Sequence, residues 1–475
     1  MPLLTKSKYL TGFQCLRYLW VKEHEKEKIP KPDIATQFKF DEGNQVGDLA
    51  KNLYPDGIDI KIWPIKNNIT RTGQLLGEQR PLFEPGFQHE NCYSRSDILV
   101  PNQDGWDIIE VKSGTKVKEI NLQDVSFQKY CLEGAGLQIK NCYLMHVNNE
   151  YVRKGVIDCE KLFKKENITE EVAKIIEEIP ENAKRMLEVL SADEFTPVKI
   201  GKQCKDPYEC PVAECWDFLP DNHIFHLYRG GKKCYDLFEE GIHTISEIPE
   251  EYKLNDKQGI QKKCEKAGET HIDKDGIKEF LELREYPIHY LDFETFATAV
   301  PYFDNTRPYE KIPFQFSLHI EQENGEVEHK SFLYDGDDDP REEFTTALRN
   351  ALEKKGTIVA FNESFEKGVM KKLGWDDSID ARFVDLITPF RAFHFYNPEQ
   401  KGSASLKKVL PAVTGKNYDG MGIADGVTAS VEFVNVTYKK VSDEKKAQVR
   451  SDLEKYCGLD TEGMLWIIQK LREMI

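Results

Sequence analysis

The stretch Tyr93-Ser-Arg-Ser-Asp97-Ile-Leu-Val100-Pro-Asn-Gln-Asp-Gly105-Trp-Asp-Ile-Ile-Glu110-Val-Lys112 reads as two strands and a turn. Tyr93 to Val100 and Trp106 to Lys112 are the two strands. Pro101 to Gly105 supplies the turn formers between them. Such a hairpin brings Asp97 close to Glu110. On the second strand Glu110 and Lys112 are two residues apart and share a face, while Ile109 and Val111 point the other way into a core. A helix is expected from Asn121 to Gly134, carrying Gln128 and Tyr130 and ending at Gly134 and Gly136.

Four cysteines bracket this stretch. Cys15 stands alone near the start, in a mixed apolar and basic helix expected around Ser7 to Glu23. Cys204-Lys-Asp-Pro-Tyr-Glu-Cys210-Pro-Val-Ala-Glu-Cys215 lies far downstream, after a charged helical region from Glu160 to Leu190 and Pro197. No tight pair of the kind zinc motifs use is present. If Cys15 joins the trio, one group closes a loop of nearly two hundred residues, at roughly 5 kcal/mol of chain entropy. Structural metal binding releases about 10–16 kcal/mol in zinc peptides, enough to outweigh that cost. The plainer reading, buried thiols packing as small hydrophobes, stays open.

The chain has 475 residues, a formal net charge of −17 and 11 cysteines. That length predicts several domains. The acidic balance argues against a protein that coats nucleic acid by bulk electrostatics, but not against an enzyme that gathers carboxylates around divalent cations. The first twenty residues, interrupted by Lys6, Lys8, Gln14 and Arg17, hold no signal-peptide core, and no stretch reaches transmembrane length, so a cytoplasmic protein without a membrane partner is expected. Eleven cysteines in a long charged chain suit thiols or metal ligands in a reducing compartment.

Residues 221–285 are highly charged and read as a helical connector. Its Gly241-Ile-His weakly resembles the turn of a helix-hairpin-helix unit, although a capped helix pair is the simpler reading. From about Tyr286 strands alternate with helices, with strands at His289 to Glu294, Phe314 to Ile320, His329 to Tyr334 and Thr357 to Phe361, a helix from Pro340, and a last helix from Ser442 to Ile475. That is an α/β layout. Asp292 and Glu294 share a strand face, Glu366 follows a strand, and Tyr456 and Asp460 lie one helical turn apart. Four carboxylates in one pocket could hold two cations about 3.5–4 Å apart, the spacing for in-line phosphoryl displacement.

Asp97, Glu110, Lys112 and the flanking cysteines resemble the RecB-type PD-(D/E)XK nucleases, in particular the CRISPR-associated and AddB-like branch closed by a [4Fe-4S] cluster. The resemblance covers residues 1–220. It implies a restriction-endonuclease-like fold, with Asp97 and Glu110 on Mg2+ or Mn2+, Lys112 assisting the attacking water, and Cys15, Cys204, Cys210 and Cys215 holding the cluster. Gln128 sits where the family has a glutamine, and Tyr130 is an approximate match. Gly47 stands where a metal-binding histidine is often found, leaving Glu42 or Asp48 as substitutes, or a single-metal or weakened site.

Residues 286–475 look like the DEDD, or DnaQ-like, 3′-5′ exonucleases on a ribonuclease H-like fold. That resemblance implies Asp292, Glu294, Glu366 and Asp460 as metal ligands, with Tyr456 positioning the water and Asp385 in support. Glu366 replaces the family's usual aspartate. The tandem order resembles an uncharacterised prokaryotic family with the same pairing. The expectation is a metal-dependent nuclease with two sites, acting on DNA ahead of RNA, in repair or defence. Two alternatives remain: a nucleic-acid-binding or adaptor protein with one or both sites decayed, and an exonuclease directed at RNA.

Overall fold

The computed structural model describes residues 2–195 and 198–475; Pro197 lies outside them. The protein is a mixed α/β chain with two compact units. Unit 1 comprises Met1–Phe218 and Thr298–Glu310, and unit 2 comprises Leu219–Ala297 and Lys311–Ile475. The division differs from the one read in the sequence at 220 and 285. Residues 221–285 fall inside unit 2, and a short segment from the C-terminal half belongs to unit 1.

The strands of unit 1 are β1 (Leu4–Thr5), β2 (Ile58–Asp59), β3 (Leu82–Phe83), β4 (Gly86–His89), β5 (Cys92–Arg95), β6 (Ile98–Asn102), β7 (Gly105–Lys112), β8 (Ile139–Val147) and β9 (Phe163–Asn167). Six of them form a sheet in the order β2-β3-β6-β7-β8-β9, and β1-β5-β4 form a second sheet. The single strand expected from Tyr93 to Val100 is thus two strands in different sheets, with Ser96 and Asp97 at the break. There the Ser96 amide donates to the Pro85 carbonyl at 3.2 Å and the Asp97 carbonyl accepts from the Glu84 amide at 3.1 Å, which re-aims the chain. The β6–β7 hairpin is tighter than expected. Asn102 pairs with Gly105, leaving only Gln103 and Asp104 in the turn, and Gln103 takes the positive φ of 45° that a two-residue hairpin demands.

Alternation along β7 divides its side chains between two apolar layers. Ile109 and Val111 pack with Val46, Ala50, Phe83 and Ile98. Ile108 faces Val125, Phe127 and Leu132 of the helix Glu119–Gly134, so Glu110 and Lys112 project on that helix's side. At the N-terminus the expected single helix is two, Lys6–Gln14 and Leu16–His24. Cys15 breaks them with an extended backbone at φ −160°, ψ 125°. The segment Thr298–Glu310 completes the first of these layers through Ala299 and Val300. It is tied down by hydrogen bonds from the Ala299 amide to Glu42 Oε1 at 2.6 Å, from Arg153 to the Pro301 carbonyl at 2.8 Å, and from the Tyr309 hydroxyl to the Ser113 carbonyl at 2.6 Å.

Unit 2 contains β10 (His271–Ile272), β11 (Ile288–Phe296), β12 (Ile312–Glu321), β13 (Val327–Leu333), β14 (Ile358–Ala360), β15 (Phe383–Asp385) and β16 (Phe395–Tyr396). The main sheet has the order β13-β12-β11-β14-β15. β11 is antiparallel to β12 and parallel to β14, which makes it the central strand. Leu291 and Phe293 pack with Phe316, Phe344 and Leu348 on one face, so Asp292 and Glu294 are turned to the other. The long helix Asp443–Met474 is capped by the Ser442 hydroxyl, which accepts from the Lys445 amide. It runs unbroken through Gly458 and Gly463. A Cβ on Gly463 would lie 3.2 Å from Leu410 Cδ2, so its absence lets the helix Leu406–Thr414 approach.

Residues 221–285 contain the helices Lys232–Glu239 and Asp256–Ala267, and Ile224, Leu227, Leu237 and Ile245 form a small apolar cluster. Gly241, at φ 85°, follows the first helix. Among the described residues, no helix is long and apolar enough to cross a membrane.

Candidate active sites

In unit 1, β7 and the helix Glu119–Gly134 bring Glu110, Lys112, Asp124 and Gln128 together. Lys112 Nζ lies 2.5 Å from Glu110 Oε1 and 2.9 Å from Asp124 Oδ2. Gln128 Nε2 donates to Glu110 Oε2 at 2.6 Å and to Asp124 Oδ1 at 2.9 Å. A second cation arrives from the N-terminus, where Lys6 Nζ is 3.0 Å from Glu110 Oε1 and 3.6 Å from Asp124 Oδ1. Asp97 accepts the Val111 amide on Oδ2 at 2.7 Å, and its charge is felt by Glu110, Lys6 and Lys112.

Glu110 is 1% exposed. Burial, with Asp124 and Asp97 adding repulsion, pushes its carboxyl up to about 7. Burial opposes the charge on Asp124 too, but Lys112 and Lys6 prevail and hold it below the ordinary range. Two carboxylates thus face two lysines.

Lys6 and Asp124 were missed in the sequence. A lysine early in a helix and an aspartate inside another are ordinary surface residues until the two helices meet over β7. Tyr130 does not join the network; its ring packs edge-on against His89, centroids 5.1 Å apart. Of the two substitutes for the absent histidine, Glu42 is engaged by the Ala299 amide, and Asp48 points to solvent beside Lys51.

Cys15, Cys204, Cys210 and Cys215 act on one another electrostatically: Cys15 and Cys204 on both Cys210 and Cys215, and Cys15 also on Cys204. Gln14, beside Cys15, fixes the trio's loop through bonds to the Gln203 carbonyl at 2.9 Å and the Tyr208 carbonyl at 2.6 Å. The Cys210 amide donates to the Cys204 carbonyl at 2.9 Å. Burial, then the neighbouring thiols, raises the Cys210 thiol to about 11. Thiolates are the ligands that a soft metal or an iron–sulfur cluster takes.

In unit 2, Asp292 and Glu294 of β11 meet Tyr456, Cys457 and Asp460 of the long helix and Glu366 from the first turn of Ser364–Lys372. The carboxylates act on one another. Burial, then Asp460, Glu294 and Glu366, lifts the Asp292 pKa well above normal. Burial and Asp460 do the same to Glu294. Glu366 rises to about 8 through burial and Asp385. Asp460 rises to about 6 through burial, restrained by Tyr418, Lys407 and Tyr456.

The extra methylene of Glu366 therefore does not remove it from the group. Glu366 is 2% exposed, and its Oε2 has no hydrogen-bond partner. Asp385 supports from behind, accepting the Asn362 amide at 2.8 Å and the Ile387 amide at 3.1 Å, which holds the left-handed Asn362 at φ 75° before the Glu366 helix.

Three further participants were not read from the sequence. The Tyr418 hydroxyl bonds to Asp460, Lys407 Nζ lies 5.7 Å from the Tyr456 ring centre and 6.0 Å from that of Tyr418, and the Cys457 thiol is 3.8 Å from Asp292 Oδ2. None belongs to a motif whose spacing announces it. Asp292, Glu294 and Cys457 each offer a ligand atom within 4.8 Å of the others, a geometry able to hold a metal ion.

A family model described as a domain of unknown function, DUF2779, matches residues 289–405. The match takes in Asp292, Glu294 and Glu366 and ends before Tyr456 and Asp460. The chain is similar to the "Uncharacterized protein MG366 homolog" of Mycoplasma pneumoniae, 24% identical over 214 residues, covering 39% of this chain and 32% of that one. It is also similar to "Uncharacterized protein UU173" of Ureaplasma parvum, 21% identical over 245 residues, covering 44% of this chain and 34% of that one. Each alignment spans about a third of the relative's own length.

Proposed function

We propose that the chain is a metal-dependent nuclease, a hydrolase of phosphodiester bonds whose principal site is the acidic group of unit 2. The observation that carries this reading is the convergence of Asp292, Glu294, Glu366 and Asp460 beside Tyr418 and Tyr456. The half-buried Asp292 and the buried Glu294, Glu366 and Asp460, with Lys407 and Lys311 as the cations that act on them, are held at raised pKa by burial first, with repulsion between carboxylates adding to it at Asp292, Glu294 and Glu366. Divalent cations relieve that repulsion, and the orphaned Oε2 of Glu366 is a waiting ligand atom. Mg2+ or Mn2+ bound there would lower the pKa of a water and neutralise the phosphate.

The chain's own groups then have separable tasks. The carboxylates would hold the cations, the neutral phenol of Tyr456 would orient the attacking water, and Lys407, at the exposed rim, would draw in the phosphate backbone. This reading makes unit 2 a ribonuclease H-like DEDD exonuclease domain. Unit 1 is proposed as a PD-(D/E)XK domain with Asp97, Glu110 and Lys112 as its site, and Cys15, Cys204, Cys210 and Cys215 would hold a [4Fe-4S] cluster as a structural staple. DNA is proposed as substrate ahead of RNA, in repair or defence, in the cytoplasm.

A second reading, for unit 1 alone, rests on Lys6. With Lys6 and Lys112 both against Glu110 and Asp124, that network is already neutralised, as in a nuclease domain kept for binding after its metal site has decayed. The test is cleavage of labelled single- and double-stranded DNA and RNA by anaerobically purified protein with and without Mn2+. Asp292→Ala should abolish one activity and Lys112→Ala another. Loss in Asp292→Ala alone favours the decayed unit 1, and unchanged cleavage in both rejects the site assignments.

A further inference from the structure

The thiol of Cys457 has no place in a site made for magnesium. It stands one residue after Tyr456 on the helix Asp443–Met474, fully buried, with Sγ 3.8 Å from Asp292 Oδ2 and 3.9 Å from the Asp292 carbonyl. Its sulfur and one oxygen each of Asp292 and Glu294 lie within 4.8 Å of one another. A tetrahedral zinc ion with bonds of about 2.3 Å to sulfur and about 2.1 Å to oxygen sets those two donors about 3.6 Å apart. The observed sulfur–oxygen separation is within a few tenths of an ångström of that value.

We propose that Asp292, Glu294 and Cys457 form a binding site for a soft divalent cation of the zinc class, a second mode of the same pocket. This rests on the reading of that pocket as a metal centre. Magnesium takes oxygen ligands and octahedral geometry, whereas zinc and cadmium favour thiolate. Binding deprotonates Cys457, and the proton passes to solvent. Glu366 stands outside the three atoms that lie within 4.8 Å of one another, but its buried Oε2 has no hydrogen-bond partner and its carboxylate acts on both Asp292 and Glu294, so a small inward shift would supply a fourth donor. A zinc-class ion seated here takes two carboxylates away from the hydrolytic cations, so it acts as an inhibitor.

The test is a titration of the full-length, anaerobically purified protein with Co2+, read by the near-ultraviolet thiolate-to-cobalt absorption, with Zn2+ as competitor. The proposal expects a Zn2+-sensitive component of the band that is lost in Cys457→Ser and that needs at least tenfold more Co2+ in Asp292→Asn, which keeps the thiol. A band of equal intensity and midpoint in wild type and both variants comes from other thiols and overturns the proposal, as does the absence of any band. Should Cys457→Ser fail to fold, Asp292→Asn decides alone. A cobalt band with this behaviour in a protein that cleaves no nucleic acid would remove the nuclease reading and leave the cation site in place.

Discussion

The Tyr418 hydroxyl donates a 2.5 Å hydrogen bond to Oδ1 of Asp460, from a loop to a helix 42 residues further on. Asp460 is therefore not positioned by its own helix alone. Burial and the surrounding carboxylates raise the pKa of both Tyr418 and Tyr456, so each phenol stays neutral and able to donate. The rings lie 6.1 Å apart, and both phenols act on the Asp460 carboxylate.

Replacing Tyr418 with Phe removes a hydrogen bond to a buried carboxylate, an interaction of about 1.5–3 kcal/mol when one partner is charged. If Asp460 must be held in one orientation for hydrolysis, kcat falls about 10- to 100-fold. Steady-state rates at saturating Mn2+, with thermal melting to exclude unfolding, check this. A rate within twofold of wild type would show that Tyr418 is packing only.

Lys6→Met leaves Glu110 and Asp124 with Lys112 as the remaining lysine in contact. Breaking a buried ion pair costs about 3–5 kcal/mol, and Lys6 should fall at the low end because about a quarter of its side chain meets solvent. Urea unfolding of unit 1 reports the loss. An unchanged midpoint would mean that Lys6 is swung aside in solution.

The rings of His319 and His329 stack at 4.2 Å between centroids, with Thr461 on His319 Nδ1 at 2.8 Å and Ser317 on His329 Nε2 at 2.9 Å. Burial, then the neighbouring ring, depresses the His319 pKa to about 4, and burial also lowers that of His329. The folded state thus takes up protons less readily than the unfolded chain, whose histidines titrate near 6.5. The pair's contribution is fully present above about pH 6.5 and lost as pH falls towards 4. His319→Gln should flatten the decline in unfolding midpoint between pH 7.5 and 5, and equal slopes in the two proteins would contradict the assignment.

Cys204→Ser removes one thiol from the group that includes Cys15. Anaerobically purified wild type should be brown with about four irons per chain, and the variant pale and less stable. Zinc in place of iron would redirect the cofactor, and a colourless, metal-free wild type would return these thiols to packing.

Strand and helix existence was largely legible, because β7, β11, β12 and the helix after Ser442 carry long periodic patterns. Asp292, Glu294, Tyr456 and Asp460 could be placed on faces from spacing alone. The break at Ser96 and Asp97 was missed although Ser94 to Asp97 holds no β-branched or aromatic residue; pairing to different sheets divides the run there. The break at Cys15, which no glycine or proline marks, was not legible. Lys6, Asp124, Tyr418 and Lys407 join their sites across long sequence separations without a motif. Thr298–Glu310 was assigned to the C-terminal half by continuity, yet its ties to Glu42, Ser113 and Arg153 put it in unit 1.

The most direct test of the central claim is Mn2+ binding, followed by electron paramagnetic resonance of the free ion, in wild type, Glu366→Gln and Asp460→Asn. The account predicts saturable binding to wild type that weakens at least tenfold in each variant while both remain folded. Identical binding curves for all three proteins would contradict it.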